Sequence, residues 1–203
     1  MPQIKKSRIR EWLEFFSQVF IIALFVLIFI TQQYMVKGSS MESTLHHGDR
    51  LFVDKLTYYF SAPQRGDIVI VKDQLSVQII KRVIGLPGDS IYAKDGHLFV
   101  DNNEYIEPYI NTPFDDFESV RVDPDTYFVL GDNRPCSSDS RFIGAVSRKK
   151  IIGKAFIRIF PFNKIGLIKR PQYKPLPRKE NSYGGYGYKD YGYPPAHDPY
   201  FKP

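Results

Sequence analysis

One stretch limits the possible folds more than any other: the 20 residues from Trp12 to Thr31, whose centre, Val19–Ile30, is wholly apolar. As a helix rising 1.5 Å per residue this run is about 30 Å long, the thickness of a bilayer's hydrocarbon core. It reads as a transmembrane helix. Glu14 lies near its first end, within reach of headgroups rather than at the midplane, where a carboxylate is costly. A cleaved signal peptide is the rival reading. Thr31-Gln32-Gln33-Tyr34-Met35 offers no small-residue cleavage site, so an uncleaved anchor is expected. Lys5, Lys6, Arg8 and Arg10 precede the run, and such cations stay cytoplasmic. Residues 1–11 are therefore expected in the cytoplasm, 12–31 across the membrane, and the remainder on the outer side.

Residues 32–170 read as β structure, since their apolar runs are short, branched or aromatic and are separated by turn residues. Expected strands are Arg50–Lys55, Ile68–Lys72, Val77–Ile84, Ile91–Ala93 with His97–Val100, Thr126–Leu130 and Ile151–Phe160. Asp95-Gly96 between two alternating runs is a hairpin signal, because both residues must accept positive φ. Gly-Asp pairs recur at Gly48-Asp49, Gly66-Asp67, Gly88-Asp89 and Gly131-Asp132, each at a strand boundary, and read as turns. Residues 171–203 hold seven of the 14 tyrosines among Gly, Pro and Lys. Too little there can be buried to offset backbone entropy, and a disordered tail is expected. The single cysteine, Cys136, excludes an internal disulfide and a thiolate zinc site. A net charge of +6 admits nucleic acid or an anionic membrane surface as partner, but the cations are scattered rather than striped.

Three clusters carry possible chemistry. In Val36–Leu45 a short polar segment presents Ser40 just after the apolar run; it reads as a nucleophile or as a plain Ser-rich turn. Lys81 lies in the aliphatic run Val77–Ile84 and either snorkels from a strand face or serves as a base. An ordinary lysine is neutral only about once in 800 molecules at pH 7.5, so a basic role needs burial to lower its pKa. The histidines are poorer candidates: His46 and His47 follow Ser40 too closely, His197 is in the tail, and His97 belongs to the hairpin. We rank Ser40 with Lys81 ahead of Ser40 with His97. Gly131–Gly144 interleaves Asp132 and Asp139 with Arg134 and Arg141 among three serines, which suits a rigid ion-paired support or a capped surface loop.

Taken in order, Ser40-Met41, Arg65-Gly66-Asp67-Ile68-Val69, Lys81 to Asp89, and Gly131-Asp132-Asn133-Arg134 with Ser137 to Arg141 resemble the boxes of type I signal peptidases, the membrane-bound leader peptidases. The resemblance implies a membrane-anchored serine endopeptidase, needing no metal or cofactor, that cuts signal peptides from preproteins after small residues of the Ala-X-Ala type. It implies a mainly β fold: an antiparallel catalytic core with a small second β domain, here 90–129, behind one N-terminal transmembrane helix. Ser40 is then the nucleophile, its N–H an oxyanion donor, and Lys81 the general base. Ser137 would hydrogen-bond the lysine amine, Asp139 and Arg141 would brace the loop, and Asp132 and Arg82 would add support. Tyr34, Val36, Met41, Leu45 and Ile80 would line the substrate pockets. Partners implied are preproteins and membrane lipids, in a plasma membrane or a thylakoid or other organelle membrane.

Two positions depart from the family pattern. Gly38 stands where some members place a second oxyanion donor, a serine, and Ser43 stands where many have proline, so a less rigid turn is expected. Other classes remain as alternatives: a non-enzymatic tethered β module that binds a secreted peptide or envelope polymer, and a binder of anionic lipid or nucleic acid. A self-cleaving Ser-Lys repressor shares the chemistry but not the anchor.

Overall fold

A computed structural model describes residues 8–110 and 115–171, with the backbone alone at 25–31. Most of the expected cytoplasmic start and all but Pro171 of the expected tail lie outside these residues. Helix α1 (Arg8–Ile30) carries an Arg10–Glu14 ion pair of 3.2 Å on successive turns. Among the described residues no helix is long and apolar enough to cross a membrane. The side chains of 25–31, in the apolar half of the expected span, lie outside the described residues.

The polar segment after α1 is a strand, β1 (Thr31–Met35), paired antiparallel with β2 (Arg50–Asp54) from Thr31↔Asp54 to Met35↔Arg50. Gln32 and Gln33 concealed it, because backbone pairing with β2 holds it in place, with Tyr34 alone of its described side chains packed against the core. There follow α2 (Thr57–Phe60), β3 (Ile68–Lys72), β4 (Gln78–Gly85), β5 (Ser90–Lys94), β6 (His97–Val100), β7 (Asn103–Tyr105) and β8 (Phe117–Arg121). The chain continues through β9 (Thr126–Leu130), α3 (Ser140–Ile143), β10 (Val146–Ser147), β11 (Ile151–Phe160) and β12 (Gly166–Leu167). Two antiparallel sheets result: β1-β2-β11-β3-β4-β9-β10 with β12 beside β11, and β7-β6-β5-β8. Asp95 and Gly96 both take positive φ, 52° and 76°, in the β5–β6 hairpin.

Alternation along β3 divides the large sheet's packing. Ile68 and Ile70 join a core with Val36, Met41, Leu45, Leu51 and Val53, while Val69 and Val71 join another with Val83, Val129 and Ile151. A strand buried on both faces must read as a continuous apolar run, as Ile68-Val69-Ile70-Val71 does. Strand β9 repeats the device: Tyr127 and Val129 face the second core, whereas Phe128 and Leu130 pack between the sheets with Ile84, Ile91 and Val100. Hence β9 belongs to the large sheet, although the expected second domain, 90–129, runs into it; the small sheet spans Ser90–Arg121.

Three of the four Gly-Asp pairs build the same turn. In each, the Asp N–H returns to the carbonyl three residues earlier, His46, Gln64 or Leu86, at 3.0 Å, and the Asp carboxylate accepts that residue's own N–H. The glycines take φ of +89°, +89° and +92°, as the third position of a type II turn requires. Each glycine N–H donates to a valine carbonyl, Val36, Val83 or Val122, and the valine N–H answers to the Asp carbonyl. Each carboxylate also meets a cation: Arg158 on Asp49 at 3.0 Å, Lys154 and Arg170 on Asp67 at 2.9 and 2.8 Å, and Arg65 on Asp89 at 3.0 Å. Gly88 stands in open space for a Cβ, so Gly88→Ala should cost only the left-handed conformation, about 1–2 kcal/mol. Chemical denaturation should show that loss with activity per folded molecule unchanged; a loss under ~0.5 kcal/mol would contradict the turn assignment.

Candidate active site

Strand β4 is paired with β3 along Gln78–Arg82 but with β9 only from Arg82 onward. Lys81 is therefore the last residue before β9 takes over that edge. It is 3 % exposed, and its Nζ donates to Ser40 Oγ at 3.0 Å. Burial pushes the amine below the usual lysine range; Asp139 and Asp132 pull it upward, and Arg141 works with burial.

Ser40 sits in a turn whose flanks are anchored. Val36 exchanges hydrogen bonds with the first Gly-Asp turn, while Met41 and Leu45, 1 % and 0 % exposed, are sunk in the core. Asn133 grips the segment itself: its N–H donates to the Ser40 carbonyl at 3.0 Å and its Nδ2 to the Ser39 carbonyl at 3.1 Å. The Ser40 N–H has no partner among the described residues. Gly38, at φ +84°, donates its N–H to His47 Nδ1 at 3.1 Å. Ser43 takes φ +82°, which a proline ring cannot reach. Ser43 Oγ ties this turn to the Tyr109 carbonyl at 2.5 Å.

The loop after β9 encloses the pair. Asp139 caps α3, accepts the Gly131 N–H at 3.0 Å, and is held by Arg141 Nε at 2.9 Å. Arg82 and Asp132 form a fully buried two-point pair, Nε–Oδ1 2.8 Å and Nη2–Oδ2 2.6 Å. Arg82 also donates to the Gly66 carbonyl and Thr44 Oγ1. The expected Ser137–lysine bond is not made; the buried Ser137 Oγ has no hydrogen-bond partner among the described residues. A Cβ on Gly131 would lie 2.2 Å from Ser137 Oγ and 2.5 Å from the Ser40 carbonyl oxygen, so only glycine allows this approach.

A groove of about 610 Å³ opens beside the pair. Tyr34, Val36, Met41 and Ile80 line it with Ser40 and Lys81, as do Gln32, Gln33 and Gln78. Leu45 does not line it and is buried in the core with Val36, Met41, Leu51 and Ile68. Burial raises the Tyr34 phenol pKa. His97 lies on the small sheet, 2.7 Å from Glu104, and makes no bond to Ser40. Asn133 and Gly131 were visible in their cluster but carried no assigned role; Thr44, Glu107 and Tyr109 gave no local signal at all. Among the described residues no group of side chains could hold a metal ion.

A β fold holding a serine against a dry lysine beside an open groove has the parts of a serine hydrolase that uses lysine as its base. The family described as signal peptidase, peptidase S26, matches residues 9–160, and the chain belongs to that family. A signal peptidase I of Bacillus licheniformis is 38% identical over 174 residues, covering 79% of this chain and 94% of that protein. A probable signal peptidase I-2 of Synechocystis is 38% identical over 156 residues, 73% of this chain and 72% of that protein. The crystal structure of a signal peptidase I from Enterococcus faecalis is 33% identical and covers 46% of this chain and 97% of its own, with a TM-score of 0.43.

Because the folded state lowers the Lys81 pKa, it binds fewer protons than the unfolded chain between that lowered value and the ordinary 10.5. Stability contributed by this residue therefore rises with pH across that window. Lys81→Met should be more stable than the parent near neutral pH, and its advantage should shrink as pH approaches 10.5. Thermal melts at several pH values check this; an advantage that grows with pH would be the wrong sign.

Proposed function

We propose that Ser40 and Lys81 are the nucleophile and general base with which this signal peptidase removes signal peptides from preproteins. The observation that carries the reading is the 3.0 Å hydrogen bond from a nearly inaccessible amine to the serine oxygen. Lys81, neutral when desolvated, takes the Ser40 proton as Oγ attacks the scissile carbonyl. The resulting ammonium returns that proton to the leaving amine, and an ester joins Ser40 to the signal peptide. Water then attacks the ester with Lys81 again as base, releasing the carboxylate. This chemistry calls for no cofactor.

The unengaged Ser40 N–H is the oxyanion donor in this reading. Ser137, a buried hydroxyl without a partner, receives the Lys81 amine once Ser40 has turned to the substrate. Asp139 with Arg141, and Asp132 with Arg82, fix the loop around them. Substrate enters extended and adds to the free edge of β4 at Gln78–Lys81, with Tyr34, Val36, Met41 and Ile80 shaping shallow apolar pockets that favour small, alanine-like residues at the first and third positions before the cut. Trp12–Thr31 is the membrane anchor, with the basic N-terminus cytoplasmic and the β domain on the outer face of a plasma, thylakoid or other organelle membrane. The β peptidase unit is 32–170, with the small sheet as its second part.

Cleavage of a preprotein in detergent tests the pair. Ser40→Ala and Lys81→Ala should each reduce kcat by at least about 10⁴, while their melting temperatures show a folded domain and His97→Ala cleaves normally. Turnover by wild type should rise with pH as Lys81 loses its proton, where a histidine base would already be neutral above about 6.5. Normal turnover by folded Lys81→Ala would eliminate the mechanism.

A further inference from the structure

The active-site loops lean on a segment of the small sheet that has no part in the chemistry above. Glu107 and Tyr109 lie between β7 and β8. The Glu107 side chain is 4 % exposed, and its Oε1 accepts from Arg134 Nη2 at 2.6 Å and from the Tyr109 hydroxyl. Arg134, itself buried, passes this contact on: its Nε donates to the Gly131 carbonyl at 2.9 Å and its carbonyl accepts from Arg141 at 2.6 Å. Gly131 is two residues from Asn133, which holds the Ser39 and Ser40 carbonyls. Tyr109 makes the second connection. Its ring lies under the Arg82 guanidinium at 4.0 Å, and its carbonyl takes the Ser43 hydroxyl, three residues past the nucleophile.

We propose that Glu107 and Tyr109 are positioning residues for cleavage, holding the Gly131–Ser137 loop and the Ser40 turn in register through Arg134, Arg82 and Ser43. The small sheet thus reaches the nucleophile by two routes that meet at the reacting pair. A carboxylate buried against an arginine is poorly explained by stability alone, since a buried pair offsets little more than its own desolvation. What such a pair supplies here is direction: Glu107 fixes the Arg134 and Tyr109 side chains, and Arg134 passes a hydrogen bond on to the Gly131 carbonyl. The proposal rests on the Ser40–Lys81 reading, and neither residue touches substrate.

Full-length protein in detergent, assayed on a preprotein with kcat expressed per folded molecule, provides the test. Glu107→Ala should lower kcat about 10- to 100-fold with KM changed less than about threefold, since a misplacement near 1 Å costs that much. Glu107→Gln, which keeps an acceptor oxygen for Arg134 and Tyr109, should recover most of the loss. A purely structural role would lower the melting temperature and leave kcat per folded molecule intact, which overturns the proposal. Should Glu107→Ala not fold, Ser43→Ala and Tyr109→Leu decide it: each should lower kcat at least about fivefold at unchanged KM, and wild-type kcat in both overturns it. Ser40→Ala and Lys81→Ala run alongside. If those two cleave normally the reading beneath fails; if they are dead while the Glu107, Tyr109 and Ser43 variants are normal, only this inference fails.

Discussion

The site depends on one amine being kept out of water. Lys81 can take a proton from Ser40 only if solvation of its ammonium form has been withdrawn, and a strand buried on both sides does that. Yet the loop that seals it brings two carboxylates, Asp132 and Asp139, whose fields favour the ammonium. Left unpaired, they would undo the effect of burial. Each is instead matched by a guanidinium, Arg82 at 2.6 Å and Arg141 at 2.9 Å. The carboxylates therefore organise the loop through hydrogen bonds to Arg82, Arg141 and the Gly131 N–H while much of their charge is cancelled locally. Arginine suits this role better than lysine because it stays charged when buried and bonds at two points.

The repeated Gly-Asp turn gives the same economy to the framework. Each copy closes a strand pair, caps its own first N–H and ends in an ion pair: Asp49 with Arg158 of β11, Asp67 with Lys154 of β11 and with Arg170, and Asp89 with Arg65 in the second turn. The first copy sets the entry of the Ser40 turn through Val36, and the second bonds Arg82 through the Gly66 carbonyl. The turn that shapes the sheet also aims the arginine that supports the catalytic loop, so fold and site are not separable here.

What could be read from the chain were features that act locally. A continuous aliphatic run marked β3 and shorter apolar runs marked β4 and β9, Asp95-Gly96 marked the hairpin, and a lysine inside an apolar strand stood out because burial of an amine is costly. Ser40 was legible by its place after the apolar run and by resemblance. Features that act across space were not. Strand β1 is polar and exists by pairing with β2; Glu107 and Tyr109 look like loop residues until Arg134 and Arg82 are brought to them. Leu45 was expected at the pocket from the family resemblance alone, but it is buried in the core with Leu51 and Ile68 from other strands. The second-domain boundary overran into β9 because alternation alone does not say which sheet a strand joins.

The register of β4 fits the cleavage point proposed above. Strand β9 pairs with β4 from Arg82 to Gly85, and its chain then turns away at Gly131 to enclose Lys81. Among the described residues no strand covers the edge of Gln78–Lys81 on that side. An extended peptide occupying that edge continues the ladder where β9 stops, so its backbone reaches Ser40 Oγ as it reaches the Lys81 position. An uncovered strand edge is ordinarily an aggregation hazard. Here it ends against a buried lysine and a closing loop, which shortens the free edge to a few residues and turns it into a register mark. Because backbone hydrogen bonds along such an edge are indifferent to side chains, discrimination in the proposed reaction falls to the groove around Tyr34, Val36, Met41 and Ile80, and on that proposal a peptide with large residues there would hold its carbonyl away from the serine.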